Sequence, residues 1–254
     1  MLFFSTDADM PNIKKLRNKL NSLHVLVFLF SLSSGAYSGW QEGLDALDSG
    51  DYEAAFKEFE ALADQGDAAA QNNLGILYSQ GTGVPQNFKE AFRWFSLAAE
   101  QGILSAQYRL GLMYSKGEGV PQDYKKAIRW YMLAAQQGHA RAQFNVGVFY
   151  YLGQTVLQDY NEAFKWYTFA AEQGHAGAQT NLGIMYSEGE GVPQNNLYAY
   201  MWANIGSMSG QKEAKGLRDF LSRKMTQSEI EEAQVLARKC IKSKLKGCSK
   251  KTSP

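Results

Sequence analysis

The stretch ILSAQYRLGLMYSKGEGVPQDYKKAIRWYMLAAQQG, residues 103–138, decides the fold. Ala106, Leu110 and Tyr114 are four apart, so a helix places them on one face. The run Gly117-Glu118-Gly119-Val120-Pro121 breaks that periodicity, with Gly117 suited to a left-handed helix end. Asp123 then offers a side-chain acceptor for the free N–H groups of a new helix start. Tyr124, Ala127, Ile128, Tyr131 and Ala135 mark a second amphipathic stripe, and Gly138 closes it. The stretch predicts two helices joined by a glycine-proline turn, and no part of it alternates as a strand would.

The same pattern recurs at a period of 36. ADQG66, AEQG102, AQQG138 and AEQG174 mark four units, 67–102, 103–138, 139–174 and 175–210. Their columns hold Ala70, Ala106, Ala142 and Ala178, then Gly75, Gly111, Gly147 and Gly183, then Trp94, Trp130, Trp166 and Trp202. The capping column holds Asn87, Asp123, Asp159 and Asn195, all capping residues. Glycine inside the first helix costs about 1 kcal/mol against alanine. Its recurrence predicts a close helix–helix approach, against Ala127 and its equivalents. One helical pair of this size cannot bury its own apolar face, so the units must stack, with contacts mainly between neighbours. The fold class is all-α.

The run A-x-L-G-x-x-Y…G-x-G-V-P-x-[DN]-[FY]-x-x-A-x-x-W-[FY]-x-x-A-A-x-Q-G resembles the Sel-one-like repeat, a relative of the tetratricopeptide repeat. The resemblance implies a right-handed superhelical solenoid of antiparallel helix pairs, whose first helices line a concave face that takes protein or peptide partners. Residues 39–66, with Gly50-Asp51-Tyr52-Glu53-Ala54-Ala55, look like a shorter tetratricopeptide unit opening the array. Residues 67–210 are the four repeats, 211–245 look like capping helices, and 246–254 form a basic tail. Thr226-Gln227-Ser228-Glu229 reads as a capping box. Two departures stand out. The third unit has Gln154-Thr155-Val156-Leu157 in place of GxGVP. The fourth has Ala203 and Gly206 for an aromatic and an alanine, which predicts different packing of its second helix.

Composition limits the function classes. With 254 residues, 45% of them hydrophobic and 20% charged, the chain is that of a folded protein. A net charge of +1 gives no bulk attraction to nucleic acid. Lys14, Lys15, Arg17 and Lys19 precede the apolar run Leu23–Leu32 and the small residues ending at Ala36-Tyr37-Ser38. That order is a secretory signal peptide over 1–38, too short in its apolar part to span a bilayer comfortably. An uncleaved anchor is the alternative, and Met10 is a second candidate start. The expectation is a periplasmic protein, or a secreted one, with no transmembrane segment after signal removal. Charge is uneven: 39–67 has nine acids and one lysine, whereas 212–254 has twelve bases and five acids. The basic end could make weak contact with an anionic surface.

Chemistry motifs are sparse. The GxGVPQ runs lack a third glycine and follow a helix, so they read as turns and not phosphate loops. His139 and His175 share a column between units and read as exposed turn residues. No nucleophile–base pair or metal constellation stands out, so the expectation is no catalytic residues, no metal and no cofactor. Cys240 and Cys248 would lie about 12 Å apart on one continuous helix, too far to bridge. A turn at Gly247 would permit a disulfide, and separate thiols are the alternative. The candidate binding row is Asn73, Arg109, Asn145 and Asn181, since amides can hold a peptide backbone without reading its sequence. Beside it run Asn72, Tyr108, Phe144 and Thr180; Phe144 and Tyr151 add aromatic surface, either a hot spot or packing between units. The expected function is a non-enzymatic scaffold of the bacterial cell envelope binding a protein or extended peptide. The alternatives are a secreted effector that binds a foreign protein and an enzyme acting on cell-wall peptidoglycan.

Overall fold

The computed structural model describes residues 39–249. The targeting segment expected over 1–38 lies outside the described residues. Twelve helices follow one another, and among the described residues there is no strand. Helix α1 covers 39–49 and α2 Tyr52–Asp64; α3 (Ala68–Gln80) pairs with α4 (Phe88–Glu100) and α5 (Leu104–Lys116) with α6 (Tyr124–Gln136). Next come α7 (Ala140–Leu152) with α8 (Tyr160–Ala171) and α9 (Ala176–Glu188) with α10 (Asn196–Met208). Two closing helices, α11 (Lys212–Ser222) and α12 (Gln227–Lys242), both pack on α10. From α2 to α11 each helix contacts the next in sequence, which makes the molecule a solenoid of helix pairs.

Local chemistry sets the boundaries. Asn87, Asp123, Asp159 and Asn195 each accept backbone N–H bonds at the start of the second helix of their unit. The first helices end on left-handed glycines, Gly81, Gly117, Gly153 and Gly189. Thr226 and Glu229 form the reciprocal capping box at the start of α12.

The helical glycines correct one expectation. In three units the neighbour is an aromatic ring and not the Ala127 column. A Cβ on Gly75 would stand 2.6 Å from the Phe95 ring, one on Gly147 2.6 Å from Tyr167, and one on Gly111 would overlap Tyr131. Gly43 faces Phe59 in the same way, so the opening pair follows the rule of the repeats. The fourth unit differs because the ring is replaced by Ala203. There Gly183 comes within Cβ-contact distance, 3.2 Å, of the backbone of Ala199 and Ala203. Only in that unit does the glycine serve a direct approach of two helix backbones.

The GxGVP turns tie units together. A Cβ on Gly83, Gly119 or Gly191 would collide with the carbonyl of Tyr52, Phe88 or Tyr160, the first residue of the second helix in the pair before. Thr155 occupies that place in the third unit, at φ 64°, with Leu157 90% exposed beyond it.

Cys240 and Cys248 form a disulfide, with Cα atoms 5.6 Å apart. Helix α12 stops at Lys242, and Lys244, Leu245 and Gly247 take positive φ, folding the chain back. The Gly247 N–H donates to Glu172 Oε1 at 2.8 Å, pinning this clasp to the end of α8.

Candidate functional site

Asn73, Arg109, Asn145 and Asn181 lie on α3, α5, α7 and α9 and are all half-buried. Arg109, Asn145 and Asn181 rest on the aromatic column of the preceding unit. The Arg109 guanidinium lies over the Phe95 ring, 5.4 Å from its centroid. Asn145 hydrogen-bonds Tyr131, and Asn181 hydrogen-bonds Tyr167. The partner chemistry alternates accordingly: the phenylalanine meets a cation, and each tyrosine meets an amide. Burial pushes the Tyr131 hydroxyl up to about 12, with Ser115 and Asn145 pulling against it, so it stays a neutral partner. A single bond to a phenol leaves each asparagine with one free N–H and acceptor capacity. Arg109 also borders a small groove with Lys116 and Glu118.

The neighbouring column is taken up by packing to a larger extent. Asn72 accepts a hydrogen bond from Ser105 at 3.0 Å. Tyr108 stacks on His139 and Phe144 on His175, centroids 4.4 Å apart in both pairs. Phe144 also leans on Tyr167 at 5.7 Å. Tyr151 packs against Tyr160 and donates its hydroxyl to Glu190 Oε2 at 2.8 Å, bridging the third and fourth units. Both aromatics remain half-exposed.

The two histidines are not exposed turn residues. Each is half-buried, and each Nδ1 accepts the N–H of Ala142 or Ala178 at 3.2 Å, capping α7 or α9. Burial lowers both imidazole pKa values, and the Arg141 guanidinium lowers them further. The neutral acceptor form is therefore favoured.

A second feature was visible in the repeat columns but not singled out from sequence. Gln71, Gln107, Gln143 and Gln179 are buried, and the amide nitrogen of each donates to a carbonyl of the preceding unit. Gln101, Gln137 and Gln173 then donate to the first three amide oxygens at 2.8, 2.8 and 2.7 Å. This ladder joins unit to unit. Its fourth rung is missing, because Ser209 stands in the column of Gln173.

Among the described residues, no cluster of His, Cys, Asp and Glu could hold a metal ion. None of the described helices is long and apolar enough to cross a membrane.

Residues 68–103, 104–139, 140–175 and 176–210 each match the Sel1 repeat. No curated protein matches the chain. Among solved structures, a protective antigen present in uropathogenic Escherichia coli strains, displaying an SLR fold, superposes with a TM-score of 0.75 at 30% identity. That match covers 88% of this chain and 49% of the other, so the chain spans about half the length of that relative. A Sel1 repeat protein from Oxalobacter formigenes superposes with a TM-score of 0.67 at 33% identity, covering 79% of this chain and 83% of that one. With four units in register and the same junction chemistry between them, the chain belongs to the Sel1 repeat family.

Proposed function

We propose that the protein is a non-enzymatic scaffold of the bacterial cell envelope, periplasmic, that holds an extended peptide or protein segment along Asn73, Arg109, Asn145 and Asn181. Membership of the Sel1 repeat family supports a role in protein interaction. One observation carries the finer reading. The row continues through four successive units, and three of its members, Arg109, Asn145 and Asn181, sit on aromatic rings of the unit before with hydrogen-bonding capacity left over. Held side chains lose little freedom on binding, which favours affinity. The half-exposed Phe144 and Tyr151 both pack on Tyr167, the ring under Asn181, and give the third unit an aromatic border to that row. The basic order of residues 14–19 followed by an apolar run supports export. The likeness to a protective antigen supports it too, and equally fits secretion with a foreign protein as partner.

The test is capture from envelope extract with the mature chain, read by mass spectrometry and then with the purified partner. Arg109→Ala with Asn145→Ala should weaken binding at least about tenfold, one or two lost hydrogen bonds' worth, with the fold retained. Phe144→Ala separates the aromatic border from the row. Undiminished binding by the Arg109/Asn145 variant refutes the row, and full-length chain in the cytosol refutes export.

A further inference from the structure

The missing rung of the glutamine ladder leaves a buried acceptor. Gln179 is 1% exposed, its amide nitrogen donates to the Ala171 carbonyl at 3.3 Å, and its Oε1 has no partner among the described residues. In the three preceding units the same oxygen receives a glutamine N–H. A buried acceptor left unpaired costs about 1–3 kcal/mol. Nothing in the local backbone forbids the rung. Ser209, at φ −87° and ψ 11°, caps its helix in the conformation of Gln101 and Gln137.

Where the absent side chain would lie there is an open pocket of about 470 Å³, lined by Gln179 and Ser209. It lies within the size range of small-ligand sites. Ile205, Met208, Ile241 and Leu245 supply apolar wall, and Met208 is 70% exposed at its edge. Its far side is the disulfide-closed turn, held against α8 by the bond from Gly247 to Glu172. Glu172 and Lys244 both line it, so the charges oppose and neither an anion nor a cation is favoured.

We propose that this cavity binds a neutral primary carboxamide on an apolar carrier, the chemistry of an asparagine or glutamine side chain of a partner peptide. The amide N–H would take the position that glutamine Nε2 holds in the other three units. Lys244 carries donors for the amide oxygen. The site is separate from the row of asparagines and stands whether or not that row engages a peptide.

The probe is hexanamide, titrated into the full mature chain and followed by amide NMR shifts, with methyl hexanoate and hexanoate as controls of the same carrier. Saturable shifts are expected at the Gln179 side-chain amide and around Ile205 and Ile241. The ester and the acid should bind about tenfold more weakly, since neither supplies the N–H. Ser209→Gln places the chain's own amide in the cavity; it should raise the melting temperature and abolish hexanamide binding. Equal binding of ester and amide, no saturable shift with hexanamide, or unchanged hexanamide binding by Ser209→Gln would overturn the proposal.

Discussion

Protonating His139 and His175 should uncap two helices in the middle of the array. Each Nδ1 accepts a backbone N–H at the start of α7 or α9, and a protonated imidazole has no lone pair there. Loss of an N-cap costs about 1 kcal/mol. A cation at a helix N-terminus adds about 0.5 kcal/mol against the helix dipole. The flat stacking on Tyr108 and Phe144 works the other way, because a cation over a ring gains about 0.5–1 kcal/mol. The cap and dipole effects outweigh it, leaving about 0.5–1 kcal/mol per histidine. The sign follows from the direction of the shifts. Both imidazoles are lowered from the ordinary value of 6.5, by burial first and by Arg141 next. Their contribution is therefore complete above pH 6.5 and is lost as the pH falls through the folded-state values. Between about pH 7.5 and pH 5 the melting temperature should drop by about 2–8 °C, at 2–4 °C per kcal/mol for a chain of this size. Thermal melts followed by circular dichroism read this directly. His139→Asn with His175→Asn keeps a capping acceptor that does not titrate, so it should flatten the profile. Equal pH dependence in wild type and in this double variant would refute the reasoning.

Two further substitutions test the packing. Thr155→Gly should stabilise the chain by about 0.5–1 kcal/mol, since a β-branched residue in the left-handed region costs about 1–2 kcal/mol and glycine's extra unfolded-state freedom offsets part of the gain; a lower melting temperature would contradict this. Gly147→Ala should destabilise by about 1–2 kcal/mol despite its better helix propensity, because the new Cβ would meet the buried Tyr167 ring at 2.6 Å; urea unfolding showing equal or greater stability would contradict the close approach.

The helices, their caps and the stacking were legible because each depends on residues close in sequence and repeated four times. The junction chemistry was harder to read. Gln71 and Gln101 are thirty residues apart, and a column of glutamines looks like solvated surface until both ends are seen buried. The histidine caps were hidden for a related reason: the same column carries Asp67, which caps, and Ile103, which has no side-chain cap bond, so the type alone gives no rule. Gly111 shows a misassigned cause. The periodicity located the small residue, but whether a ring or a backbone fills the space depends on the neighbouring column, Phe95, Tyr131, Tyr167 and Ala203. For the candidate row, sequence supplied the positions. It did not reveal that Arg109 follows a phenylalanine while Asn145 and Asn181 follow tyrosines across the junction.

The change at Gly183 and Ala203 has a consequence for how such a chain can grow. Inside each of the first three units the chemistry is interchangeable, a glutamine amide meeting a glutamine amide and a ring facing a glycine, and each junction before them carries a glutamine amide on an alanine carbonyl of the preceding unit. A duplicated or excised segment of 36 residues there would present matching ends. Inside the fourth unit the contact changes to backbone against backbone, and α11 and α12 are both seated on its α10. Ala203 and Ser209 thus act as a terminator written into the sequence. Upstream of them the number of units is free to vary; at them the count is closed.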